Sequence, residues 1–88
     1  MKKVLLIVNP KAGKGLIKGH LLEVVDTFVK SGMDVTVYPT QRRLDAFEMT
    51  KSRAQEFELI VCSGGDGTLD EVVTGILEGK HNCPVGYI

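Results

Sequence analysis

At 88 residues the chain has room for about one small domain. Its composition, 43% hydrophobic and 25% charged, is that of a folded globular protein and argues against disorder. Eleven basic residues cancel eleven acidic ones, so no net field draws the chain to nucleic acid or to an anionic membrane. The longest apolar run, Val4 to Val8, is far short of the roughly 20 residues a membrane span needs. Met1-Lys2-Lys3 followed by five apolar residues lacks the long apolar region of a signal peptide. Two cysteines, Cys62 and Cys83, make a poor disulfide framework and too few ligands for a structural zinc. A cytoplasmic location is the expectation.

The first strand is Val4-Leu5-Leu6-Ile7-Val8, a continuous apolar run of the kind buried on both faces. Asn9 to Gly15 is a loop punctuated by Pro10, Gly13 and Gly15. Ile17, Leu21, Val24 or Val25, and Phe28 then recur at helical spacing from Leu16 to Lys30, and Gly32 closes that helix. Asp34 to Tyr38 reads as a second strand ending at Pro39. Asp45 with Glu48 resembles a capping box that opens a second helix, for which Leu44, Phe47, Ala54 and Phe57 supply the apolar side. Leu59 to Cys62 is a third buried strand running into Ser63-Gly64-Gly65-Asp66-Gly67-Thr68. Leu69, Val72, Val73, Ile76 and Leu77 make a third helix, ended by Gly79, and Val85 to Ile88 opens a fourth strand.

Strand and helix alternate three times, which calls for parallel pairing with right-handed crossovers. The fold class expected is α/β, a three-layer, Rossmann-like open parallel sheet cut short after the fourth strand begins. The zero net charge hides an asymmetry. Residues 1–30 hold six lysines against Glu23 and Asp26, whereas residues 58–88 hold five carboxylates against Lys80. Such halves could grip a polyanion and its divalent cation, or simply attract one another as solvated surfaces.

Two loops follow the first and third strands: Asn9-Pro10-Lys11-Ala12-Gly13-Lys14-Gly15 and Gly64-Gly65-Asp66-Gly67-Thr68. In an open parallel sheet such loops form the ligand crevice, and both lead into helix N-termini that favour an anion. Glycine suits close backbone approach by phosphate oxygens and positive φ. If both loops meet one ligand, the first and third strands are neighbours and the second flanks the first. Neither loop is a P-loop or a dinucleotide fingerprint: Gly15 follows Lys14, and Lys18 stands where the fingerprint needs Gly or Ala. The bland alternative for Gly64 to Gly67 is a tight turn, which the helical periodicity after it opposes. For Lys11, Lys14, Arg42 and Arg43 the alternative is solvated loop charge. For Asp70 and Glu71 it is the ordinary preference of carboxylates for a helix start.

The two loops at this separation, the second continuing through Leu69-Asp70-Glu71-Val72, resemble the diacylglycerol kinase catalytic domain of soluble bacterial lipid kinases. These in turn are similar to sphingosine kinases and, distantly, NAD kinases. The resemblance covers the chain and implies the N-terminal, nucleotide-binding part of a kinase that uses ATP and Mg2+ to phosphorylate a lipid hydroxyl such as that of diacylglycerol. It implies that Asn9, Pro10, Lys11, Ala12, Gly13, Thr40, Gly64, Gly65, Asp66, Gly67, Thr68, Leu69 and Asp70 meet the nucleotide. Asp66 would be the key carboxylate, organising phosphate and Mg2+. Where the family usually has Asn, this chain has Asp70. The general base and the lipid-binding, β-rich domain would lie beyond Ile88, leaving the 88-residue segment inactive alone. Partners so implied are ATP and a lipid, with no nucleic acid, and with room for peripheral membrane contact and a homo-oligomer. A NAD kinase, a sphingoid-base kinase or a non-catalytic phosphate-binding regulatory module are the alternatives.

Overall fold

The computed structural model describes residues 2–11 and 16–88. It contains strands β1 (Lys2–Val8), β2 (Met33–Pro39), β3 (Leu59–Ser63) and β4 (Val85–Tyr87) and helices α1 (Leu16–Lys30), α2 (Asp45–Arg53) and α3 (Asp66–Glu78). The sheet order is β2-β1-β3-β4, and every pairing is parallel. The first and third strands are therefore neighbours with the second flanking the first, as two converging loops require. Among the described residues no helix is long and apolar enough to cross a membrane.

The period-two alternation of a strand explains the layers. Val4, Leu6, Val8 and Val61 project to one face, where Ile17, Leu21, Val24, Val25 and Phe28 of α1 pack on them. Leu5, Ile7, Ile60 and Cys62 project to the other, beneath Ala46 of α2, Val72 of α3 and the flanking Ala54 and Phe57. Residues Val4 to Ile7 are wholly inaccessible to solvent, so β1 is the centre of a three-layer α/β sheet.

Four local expectations are corrected. Strand β1 starts at Lys2 rather than Val4, because its ladder with β2 continues down to Met33 although the lysines are polar. Helix α2 ends at Arg53: Ala54–Glu56 tightens into a 3-10 turn and Phe57 is extended, so both apolar residues reach the core from outside the helix. Helix α3 begins at Asp66, three residues before the apolar periodicity becomes visible at Leu69, with Gly65 as its N-cap. The capping box does not form, since the N-cap of α2 is Leu44 and the Asp45 carboxylate turns back to the preceding loop.

The two helix exits also differ. Gly32 takes the left-handed conformation (φ 84°) after α1, as a terminating glycine should. After α3 the left-handed residue is Lys80 (φ 56°), and a Cβ on Gly79 would lie 2.4 Å from the His81 ring, which would have to turn away. Helices α2 and α3 touch at Gly75, where a Cβ would stand 2.8 Å from Thr50 Cβ and 2.9 Å from the Phe47 carbonyl oxygen.

Leu44 is half exposed and sits at φ 68°. The left-handed region costs a non-glycine residue about 1–2 kcal/mol, while glycine gives back about 0.5–1 kcal/mol through the unfolded chain. Leu44→Gly is expected to raise the stability by about 0.5 kcal/mol, read as a higher urea midpoint with an unchanged slope. A lowered midpoint would show that the leucine side chain contributes more packing than its exposure suggests.

Candidate functional site

The parallel registers bring Val8, Pro39 and Ser63 to one level, so the loops after β1, β2 and β3 leave the sheet side by side. Two backbone hydrogen bonds extend the ladder into them: Asn9 N–H donates to the Ser63 carbonyl (2.9 Å) and Thr40 N–H to the Val8 carbonyl (2.8 Å). Between these loops lies a cleft of about 410 Å3. Asn9 and Lys11 come from the first loop, Thr40 to Arg43 from the second with Ala46 at the start of α2, and Gly65, Gly67, Thr68 and Glu71 from the third.

The Asn9 side chain shapes the first loop. Its Oδ1 accepts the Lys11 N–H (3.0 Å), closing an Asx turn, and its Nδ2 approaches Thr68 Oγ1 at 3.5 Å. Gly64 lies directly beneath this contact. A Cβ there would fall 2.5 Å from Thr68 Oγ1 and 3.1 Å from Asn9 Cβ, so packing alone demands glycine. The Gly64 carbonyl also accepts the Tyr87 O–H (2.7 Å), which ties the loop to β4.

Gly65 and Gly67 differ in kind. Neither has a positive φ, which corrects the expectation that the described loop glycines serve that purpose. A Cβ at either would meet nothing within 4 Å, because both face the cleft. The free protein has no packing reason for glycine at these positions.

Of the residues expected to meet a ligand, Asn9, Lys11, Thr40, Gly65, Gly67 and Thr68 line this one cleft. Pro10 is half-buried in the turn, Gly64 lies under the wall, and Leu69 packs against the core. Asp66 and Asp70 are exposed on the first turns of α3, outside the lining. Ala12 and Gly13, with Lys14, lie outside the described residues.

The lining also holds Gln41 and Ala46, which sequence reasoning passed over, and Arg42, Arg43 and Glu71, which it left open. Two signals bear on them. A second strand that flanks the first must deliver its exit loop to the same crevice. Glu71 lies four residues after Gly67 and so shares its side of α3.

Three cations and one carboxylate line the cleft. Arg42 is engaged by Asp45 (3.3 Å) and by Glu48, whereas Lys11 and Arg43 have no ion-pair partner among the described residues. The Glu71 carboxylate accepts the Phe47 N–H at 3.4 Å, linking α3 to the first turn of α2. Such a lining suits an anion whose uncharged part can donate to a carboxylate. Among the described residues no group of three or more His, Cys, Asp or Glu side chains is placed to hold a metal ion.

The chain matches the family described as the diacylglycerol kinase catalytic domain over residues 3–88. It is 39% identical to a diacylglycerol kinase of Staphylococcus carnosus (strain TM300) over 88 residues, covering 99% of this chain and 29% of that protein. A diacylglycerol kinase of Bacillus subtilis (strain 168) is also 39% identical, over 89 residues, covering 100% of this chain and 29% of the relative. This chain thus spans about 29% of the length of these curated relatives. Among solved structures, a diacylglycerol kinase from Bacillus anthracis (strain Sterne) is similar with a TM-score of 0.83 and 32% identity, covering 99% of this chain and 32% of that one. A second chain from that organism gives a TM-score of 0.86 at 33% identity, covering 99% and 32%.

The Tyr38 phenol donates to both Asp45 carboxylate oxygens (2.8 and 3.0 Å). That hydrogen bond, then withdrawal from water, then the carboxylate charge raise its pKa above the ordinary 10.0; Arg42 opposes the rise and Glu48 adds to it. A phenol with a raised folded pKa contributes stability that is complete below the unfolded value and lost as pH climbs through the folded one. The urea midpoint is therefore expected to fall above pH 10, and Tyr38→Phe to flatten that fall. In absorbance titrations of a Tyr87→Phe background, Asp45→Asn should bring the ionisation of Tyr38 back down. An unmoved midpoint would remove Asp45 as the cause.

Proposed function

This chain belongs to the diacylglycerol kinase catalytic domain family, and on that premise we propose that it forms the nucleotide-binding part of a cytoplasmic, ATP-dependent lipid kinase. The γ-phosphoryl of ATP passes to a lipid hydroxyl such as that of diacylglycerol. Residues 1–88 hold the nucleotide, and a C-terminal β-rich domain outside them receives the lipid at the membrane surface. By themselves these residues bind without turning over.

The observation that carries this reading is the pair Gly65 and Gly67. Both line the cleft at the start of α3, and neither is required by backbone conformation or by packing in the free protein. Bare backbone on that surface leaves phosphate oxygens room to approach the amides at the beginning of a helix. Phosphoryl transfer asks chiefly for positioning and charge stabilisation. Lys11 and Arg43 supply positive charge, Thr68 and Asn9 fix the loops, and Thr40 with Glu71 faces the rest of the nucleotide.

Mg2+ fits these residues as an ion shared with the nucleotide, since magnesium is commonly held by one or two carboxylates together with phosphate oxygens. Asp66, exposed on the first turn of α3 beside Gly67 in the chain, would hold it from outside the lining, in which Glu71 is the carboxylate. When bound, the ion neutralises charge on the phosphates.

Calorimetry with MgATP on the 88-residue chain tests the reading. Gly65→Ala and Gly67→Ala are expected to weaken binding at least about tenfold, while stability is unchanged or rises by up to about 1 kcal/mol. Gly64→Ala should instead lower the urea midpoint, because its methyl group collides with Thr68 and Asn9. Wild-type affinity in both cleft variants would overturn the assignment of this surface to phosphate.

Asp66→Asn keeps the shape of the side chain and removes its charge. The affinity for MgATP is expected to fall towards that for ATP in EDTA, which itself should not change. Equal losses with and without magnesium would show that Asp66 supports the loop rather than the metal.

A further inference from the structure

Asp45 is charged, begins a helix and is only 4% exposed. Taking a carboxylate from water is costly unless hydrogen bonds replace the lost hydration, and an apolar residue at such a place would often serve stability as well. Here the compensation comes from one short stretch of chain. Tyr38 Oη–H donates to both oxygens, the Gln41 N–H donates to Oδ2 at 2.7 Å, and Arg42 Nη1 donates to Oδ1 at 3.3 Å. Tyr38 precedes and Gln41 and Arg42 belong to residues 40–43, which form one wall of the cleft.

We propose that Asp45 is a positioning residue whose carboxylate, by gathering Tyr38, the Gln41 amide and Arg42, sets the conformation of the 40–44 loop and with it the cationic wall of the cleft. The other ties of the loop are local or at its ends: Thr40 N–H reaches the Val8 carbonyl, Asp45 N–H reaches the Arg42 carbonyl at 3.2 Å, the Gln41 side-chain amide donates to the Pro39 carbonyl at 2.9 Å, and Arg42 pairs with Glu48. Leu44 is held at φ 68°, a conformation a leucine adopts only when its surroundings impose it. An asparagine there offers one acceptor oxygen where three donors had two and turns an NH2 toward the rest, so the Gln41 N–H must compete with Tyr38 and Arg42 for it, and the strain at Leu44 favours departure from the observed path. Arg43, which has no ion-pair partner among the described residues, owes its place to the backbone on either side.

The inference deepens the nucleotide reading, and the test separates the two. On the 88-residue chain, amide exchange at Gln41 and the Kd for MgATP are measured in the parent, Asp45→Asn, Tyr38→Phe and Arg53→Ala, all where each is folded. Asp45→Asn should speed Gln41 exchange and raise the Kd, each by about tenfold, with the amides of β1 still protected. Tyr38→Phe removes one donor and keeps the carboxylate, so both readouts should move in the same direction by less. Arg53→Ala breaks the Arg53–Glu56 pair at the far end of α2 and should cost stability with neither readout changed. Unchanged Gln41 exchange in Asp45→Asn would overturn the proposal, and so would a Kd that follows the urea midpoint equally in Asp45→Asn and Arg53→Ala. A parent chain that binds no MgATP would overturn the nucleotide reading, leaving Gln41 exchange to decide whether Asp45 orders the loop.

Discussion

Parallel pairing of β1 with β2 on one side and β3 on the other is the constraint on which the cleft rests. Parallel neighbours end at the same edge of a sheet, so three separate loops emerge there together. The pairing is held in register by the burial of Val4 to Ile7 on both faces, since a slip of one residue would exchange the α1 face with the α2 and α3 face. The backbone hydrogen bonds of Asn9 and Thr40 carry this order one residue past each strand, to the first side chains that line the cleft.

The glycine loop before α3 separates two demands often merged. At Gly64 the protein itself excludes a side chain, through Thr68 and Asn9. At Gly65 and Gly67 nothing in the protein does. The cleft therefore has one wall built by internal packing and one surface kept bare. Across from it stands a loop rich in side-chain hydrogen bonds, gathered by a single buried carboxylate. Bare backbone thus faces a cationic loop, an arrangement suited to a ligand with a compact charged end.

The sheet was legible because β1 and β3 are continuous apolar runs and the helices between strands are amphipathic, signals that survive without tertiary context. The strand order could be reasoned from the need to bring two glycine loops together. The boundaries that escaped were those set by partners distant in sequence. Lys2 joins β1 because Met33 pairs with it, and α3 gains its first turn at Asp66 before any apolar residue marks it. At the cleft, the glycines after β3 were marked by residue type, whereas Thr40 was implied only by the family resemblance and Lys11 read equally well as solvated loop charge. Gln41 and Ala46 carried no mark: Gln41 is held by Asp45, which reads in sequence as an ordinary helix cap, and Ala46 reaches the cleft through the placement of the first turn of α2. The same ambiguity hid the purposes of the three glycines, which look alike until their neighbours are known.

Helices α2 and α3 meet at Gly75 without an intervening side chain, their separation set by Thr50 and the Phe47 backbone. The same two helices carry Ala46 on one side of the cleft and Gly67, Thr68 and Glu71 on the other. Gly75 thus acts as a spacer of minimum thickness in a pair of jaws. A methyl group inserted there would act as a shim, prising the jaws apart and widening the bite on a ligand it never touches. The aperture of the cleft is thereby written into a position that contributes no atom to it.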